Sequence, residues 1–190
     1  YLGNLWYDKR QYPEAIACWE KSAEQDATFP TVFRNLSLAY FNKLNDETKA
    51  VTSLEKAFEL DTTDARILME LDQLYKRICR PHAERFAFLE KYFNLVELRD
   101  DIYLEYITLC NQLGKYDKAA RLIDKRKFHP WEGGEGKVTG QYVAALLALA
   151  RQRLDAVALH GRLAHEHDGG RPVGEGRGVA GGDRSVALVE

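Results

Sequence analysis

Apolar residues from Leu2 to Ile123 recur at helical spacing, in paired runs separated by short polar turns. Leu2, Leu5 and Trp6 would share one helical face. A turn follows near Arg10, and Ala15, Ile16, Trp19 and Ala23 form the stripe of a second helix. Pro13 and Pro30 stand at helix starts, where a missing amide hydrogen costs nothing. The next pair uses Phe33, Leu36 and Tyr40, breaks at Asn45-Asp46, and resumes with Ala50, Leu54, Ala57, Phe58 and Leu60. The turn Asp61-Thr62-Thr63-Asp64 offers capping side chains to a helix over Ala65–Ile78, carrying Leu68, Leu71 and Tyr75. Pro81 is expected to end that helix, with Phe86, Leu89, Phe93 and Leu95 lining the next. A last pair uses Tyr103, Tyr106, Cys110 and Leu113, turns at Gly114-Lys115, and ends with Ala119, Leu122 and Ile123. No strand-like alternation is needed, so the expected fold class is all-α.

The pairs are copies of one unit. Ala15, Ala50 and Ala119 share a slot in which a small side chain lets paired helices approach closely, and Arg85 fills that slot in the third copy. A large apolar residue follows each time: Trp19, Leu54, Leu89 and Ile123. Helix–turn–helix units with a period of about 34 residues match the pattern W-x2-L-G-x2-Y…A-x3-F. It reads Leu2-Gly3-x2-Trp6…Ala15-x3-Trp19 in copy one and Leu36-Ser37-x2-Tyr40…Ala50-x3-Leu54 in copy two. Copies three and four are more divergent, with Leu71-Asp72-x2-Tyr75 and Tyr106-Ile107-x2-Cys110…Ala119.

On these motifs the chain resembles the tetratricopeptide repeat superfamily over residues 1–127. The resemblance implies an α-α superhelix of stacked antiparallel helix pairs, with a concave groove lined by first helices. It places Asn4, Tyr7 and Asp8 of copy one on that groove. Thr31, Arg34, Asn35, Leu38 and Phe41 of copy two join them, as do Arg66, Met69, Gln73 and Arg77 of copy three. One subset of the superfamily grips peptide C-termini with a two-carboxylate clamp. Asn4 and Asn35 match its asparagine slots and Arg66 could stand for a lysine, but Glu70 falls where a cation is required. The implied function is a non-catalytic scaffold that binds a peptide or partner domain in the groove. The alternative is a structural module packing against another domain of a larger parent. Divergent repeats followed by His129-Pro130-Trp131-Glu132-Gly133-Gly134-Glu135-Gly136-Lys137 are also similar to large bacterial repeat proteins carrying a β-sandwich domain, which would make such a domain carbohydrate-related. Tyr1 opens in mid-pattern, so a longer parent is expected.

Residues 128–160 are expected to form a glycine-rich loop and a terminal helix over about Val138–Leu154, with Tyr142, Leu146, Leu149 and Ala150 on one face. Residues 161–190 are expected to be a disordered or foreign tail. Eight of the 14 glycines lie between Gly161 and Gly182, no lysine follows Lys137, and no aromatic follows Tyr142. Such a stretch buries too little apolar surface to offset about 1–2 kcal/mol of chain entropy per residue. The switch in composition also suggests a change of reading frame.

Hydrophobic residues make up 45% and charged residues 29%, as in folded domains, and the net charge of −2 gives no reason to expect nucleic acid or an anionic membrane as partner. No apolar run is long enough to span a bilayer. Cys18, Cys79 and Cys110 form no paired motif and are expected to be buried free thiols, which fits a cytoplasmic setting. No cofactor, metal or catalytic residue is expected. Gly133–Lys137 lacks the first glycine and the Ser/Thr of a phosphate loop. Glu132 and Glu135 lie in one loop, with nothing to fix them opposite each other as an acid–base pair. His160, His165 and His167 lack the H-E-x-x-H spacing. His129 and Trp131 are expected to pack over the open end of the last helix pair.

Overall fold

A computed structural model describes residues 1–129 and 136–168, with side chains through residue 160. All regular structure among the described residues is helical. The order is α1 (Leu2–Asp8), α2 (Tyr12–Gln25), α3 (Pro30–Ala39) with a π-turn (Tyr40–Leu44), α4 (Glu47–Leu60) and α5 (Ala65–Arg77). Then come α6 (His82–Lys91), α7 (Phe93–Val96), α8 (Asp100–Gln112), α9 (Tyr116–Lys125) and α10 (Lys137–Asp168). Two compact units divide at residue 149, and the repeats lie wholly within the first. There α1 packs on α2, α3 on α4 and α8 on α9, with α2 on α3 and α4 on α5 joining successive pairs. The solenoid of antiparallel helix pairs is thus present, and no described helix is long and apolar enough to cross a membrane.

The core follows the repeat slots. Ala15, Ala50 and Ala119 are fully buried, and Trp19, Leu54, Leu89 and Ile123 one turn on are buried with them. Gly3 is equally constrained, because a Cβ there would lie 2.4 Å from Nε1 of Trp19. The loops between copies repeat as well. Asp26 Oδ1 accepts from the Thr28 amide and hydroxyl, and Asp61 Oδ1 accepts from Thr63 in the same way. Asp46 and Asp64 then cap α4 and α5 by accepting from Lys49 N and from Arg66 and Ile67 N.

One contact between copies recurs that the hydrophobic pattern does not show. Tyr40, Tyr75 and Tyr106, on the first helix of one copy, donate their hydroxyls to Glu20, Glu55 and Glu90 on the second helix of the copy before. Each glutamate directly follows the large apolar residue of its slot. Desolvation, and then the neighbouring carboxylate, raises all three phenols above their ordinary value, so they stay protonated donors.

Arg85 explains the divergent third copy. It is buried at 2% exposure and grips Asp72, at 1% exposure, through Nε (3.0 Å) and Nη2 (2.7 Å). The same Nη2 reaches Glu105 Oε1 of copy four at 2.8 Å, and Lys76 Nζ meets the other oxygen of Glu105 at 2.8 Å. The small–small slots of copy one, Gly3 and Ala15, are replaced in copy three by an ion pair, Asp72 and Arg85.

The turns within copies close with a left-handed residue at Arg10 (φ 61°), Asn45 (φ 52°), Cys79 (φ 58°) and Gly114 (φ 73°). After Arg10, Cys79 and Gly114 the next amide bonds back to Trp6, Tyr75 and Cys110, the Schellman arrangement. Copies two and three each carry one more residue between their slots. In copy two the π-turn absorbs it, and Asp46 N reaches back to Tyr40 O. In copy three it lies after the turn, so Pro81 begins α6 as its N-cap rather than ending α5, whose C-cap is Ile78 with left-handed Cys79 after it. Only the fourth copy has glycine at this position. Cys79→Gly is therefore expected to raise stability by about 0.5–1 kcal/mol, the relief of the left-handed penalty less the entropy of glycine. A urea midpoint unchanged or lowered would count against it.

Several expectations need correction. Cys79 is exposed and Cys18 only half-buried, leaving Cys110 as the one buried thiol, which desolvation pushes up to about 11. The helix over Phe86–Leu95 breaks at Tyr92. The C-terminal helix runs to Asp168, past Gly161. Ala145, not Leu146, is its buried residue, with Val138, Tyr142 and Leu149 beside the core and Ala150 exposed. His129 does not pack: at 88% exposure it donates its amide to Asp100 Oδ2 (2.9 Å) and sets its ring beside the same oxygen. Phe128 takes the packing role against Tyr103. Trp131, Glu132, Gly133, Gly134, Glu135 and residues 169–190 lie outside the described residues.

Candidate functional site

The inner face is built by α3 and α5, whose equivalent positions stand side by side across one cavity of about 270 Å³. Arg34, Asn35, Leu38 and Phe41 line it from α3 and its π-turn, and Met69, Gln73 and Arg77 from α5, with Glu70 between them. Seven of the expected groove residues thus meet in one place. Because slots on consecutive first helices share a face, each α3 residue has a counterpart on α5 (Arg34 with Met69, Leu38 with Gln73).

Electrostatics set the chemistry of this cavity. Arg34 spends its fork on Glu70, with Nε and Nη2 each donating to one carboxylate oxygen. That hydrogen bonding raises the Arg34 pKa further and fixes the side chain across the groove. Arg66, on the rim, adds a third contact to Glu70 at 3.2 Å. Glu70 is therefore neutralised by two arginines rather than standing as a bare negative charge. Arg77 differs: its guanidinium lies 5.6 Å from the Phe41 ring centroid, and it has no carboxylate partner among the described residues.

The other expected residues separate from this cluster. Asn4 and Thr31 line a second cavity, beside Trp19 and Phe29, which Asn35 borders as well as the first. Asn4 Oδ1 accepts there from Trp19 Nε1 (3.0 Å) and from Asn35 Nδ2 (3.1 Å), so both asparagines hold each other. Tyr7 is half-buried against the rings of Tyr12 and Trp19, beneath Lys43. Asp8 is exposed and lines neither cavity.

The groove also continues where no residue was expected. Gln73 and Arg77 line a further cavity with Asp101, Leu104, Glu105 and Thr108 of α8 and Lys137 and Gln141 of α10, in which Asp101 is paired with Arg99 and Glu105 with Lys76 and Arg85. Leu104 and Thr108 occupy the slots of Met69 and Gln73 one copy later, so projecting the pattern onto copy four would have found them. Lys137 and Gln141 carry no such signal, because they follow a loop of irregular length. Among the described residues no group of three His, Cys, Asp or Glu side chains could hold a metal ion. His160 is exposed, with its Nδ1 beside Ala156 O, and the side chains of His165 and His167 are outside the described part.

No family model matches the chain. Among solved structures it resembles MamA, at a TM-score of 0.57 and 20% identity over 80% of this chain and 97% of that one. It also resembles YrrB, described as a TPR protein with an unusual peptide-binding site, at a TM-score of 0.57 and 16% identity over 80% of this chain and 74% of that one. The chain has the tetratricopeptide repeat fold. RNA polymerase II-associated protein 3 of Rattus norvegicus is 29% identical to this tetratricopeptide array over 136 residues. That match takes in 67% of this chain and 18% of the relative, so the array spans under a fifth of the relative's length.

Proposed function

We propose that the array is a non-catalytic interaction scaffold that holds a peptide, or an extended segment of a partner domain, along α3, α5 and α8. The observation that carries this reading is the cavity between α3 and α5. It sets Leu38, Phe41 and Met69 beside the polar ends of Asn35, Gln73 and Arg77 on one continuous face. Its volume falls just under the roughly 300–1,000 Å³ of small-molecule pockets, and its open run past Leu104 suits a chain rather than a compact ligand. The peptide-binding site of YrrB, on a similar fold, supports the reading. Twelve-residue peptides selected from a random library against the array should bind at least tenfold more weakly to Leu38→Asp and Met69→Asp, and equally well to Lys56→Ala on the second helix of copy two. Selected peptides that ignore both groove substitutions would end this proposal.

A structural role has its own support. Leu2 and Leu5 are 57% and 50% exposed beside half-buried Trp6, an apolar edge at the start of the array. Under that reading the edge packs against other residues of a longer parent.

A further inference from the structure

We infer that the groove selects acidic, apolar peptide segments and that Arg77 is the residue that reads the acid. The inference rests on the groove reading above and adds the chemical class of the occupant. The cavity lining carries two cations, Arg34 and Arg77, against one anion, Glu70. Arg34 is committed to Glu70, whose carboxylate accepts from both its Nε and its Nη2, so its charge is balanced there. The surplus positive charge is therefore that of Arg77, on a chain whose net charge is −2. The Phe41 ring beside the guanidinium stabilises the cation while leaving its N–H edges free. An arginine held in that way is prepared for a bidentate carboxylate, with less side-chain entropy to lose on binding. Leu38, Phe41 and Met69 lie in the same cavity and supply a seat for an apolar side chain near that carboxylate. This site is separate from the clamp positions, because Asn4 and Asn35 are bonded to each other and Glu70 is closed by arginines.

The test uses the full chain and three fluorescein-labelled nine-residue peptides with identical leucines, whose alternate positions are aspartate, glutamine or lysine. Anisotropy titrations should show the aspartate peptide binding about tenfold tighter than the glutamine peptide, and the lysine peptide weakest. Arg77→Gln should bring the aspartate peptide to within threefold of the glutamine peptide, and Arg77→Lys should retain part of the preference. Arg77 is exposed, so these variants should melt as the parent does. Equal binding of all three peptides, sensitive to Met69→Asp, would overturn the charge selection and leave the groove reading intact. Binding of none, or binding indifferent to Met69→Asp, would remove the groove reading as well. A twelve-nucleotide thymidine strand that binds through Arg77 more tightly than the aspartate peptide would overturn the inference in favour of nucleic acid.

Discussion

Arg85→Ala is expected to destabilise the array by about 3–5 kcal/mol. The reason is what it leaves behind. Asp72 is 1% exposed and both its oxygens are held by Arg85, so the variant strands a carboxylate where water cannot reach it. Glu105 loses one partner and keeps Lys76. Desolvation already lifts the Asp72 pKa, with Arg85 opposing it, so removal of the arginine should raise it further. A carboxyl group with a raised folded pKa binds its proton more readily in the native state. The variant's deficit should therefore shrink as pH falls through the Asp72 titration and grow as pH rises above it. Urea midpoints at two pH values check this. The double variant Asp72→Ala/Arg85→Met, which removes both charges and refills the space, should recover to within about 1 kcal/mol of the parent. A single variant costing under 1 kcal/mol, or a double variant no better than the single, would show that the ion pair is not what joins these helices.

Trp19→Ala should cost about 3–5 kcal/mol, confined to the first copy. The indole is buried, fills the space that Gly3 leaves open, meets the Tyr7 ring at a tilt with centroids 5.7 Å apart, and donates to Asn4. Its removal opens a cavity beside Gly3 and takes the Asn4 contact with it. In a repeat array each copy touches only its neighbours, so the loss should appear as local unfolding. Hydrogen exchange should show α1 and α2 losing protection while α8 and α9 retain it. Uniform loss across all four copies would argue against repeat-by-repeat stability.

The two substitutions mark different degrees of legibility. Trp19, Ala15 and Gly3 were readable in the chain because apolar periodicity and small-residue slots follow from helix geometry alone. Arg85 occupied a slot where the pattern demanded a small residue, and periodicity could register only the departure. Its explanation is the carboxylate of Asp72 thirteen residues earlier, in the small-residue slot of the facing helix. The Tyr–Glu contacts between copies were also written in the sequence, at Glu20, Glu55 and Glu90, but charged positions carry no signal in a hydrophobic pattern.

By itself the sequence determined the helix pairs, their register and the small-residue contacts, because each depends on local spacing. Tertiary structure decided which of the polar side chains on the first helices meet. It locked Arg34 onto Glu70 thirty-six residues away, set Asn4 against Asn35, and left Arg77 over Phe41 with its charge unspent. Those pairings join side chains on different helices, and their partners are chosen by distance across the stacked copies, a quantity the order of residues does not state.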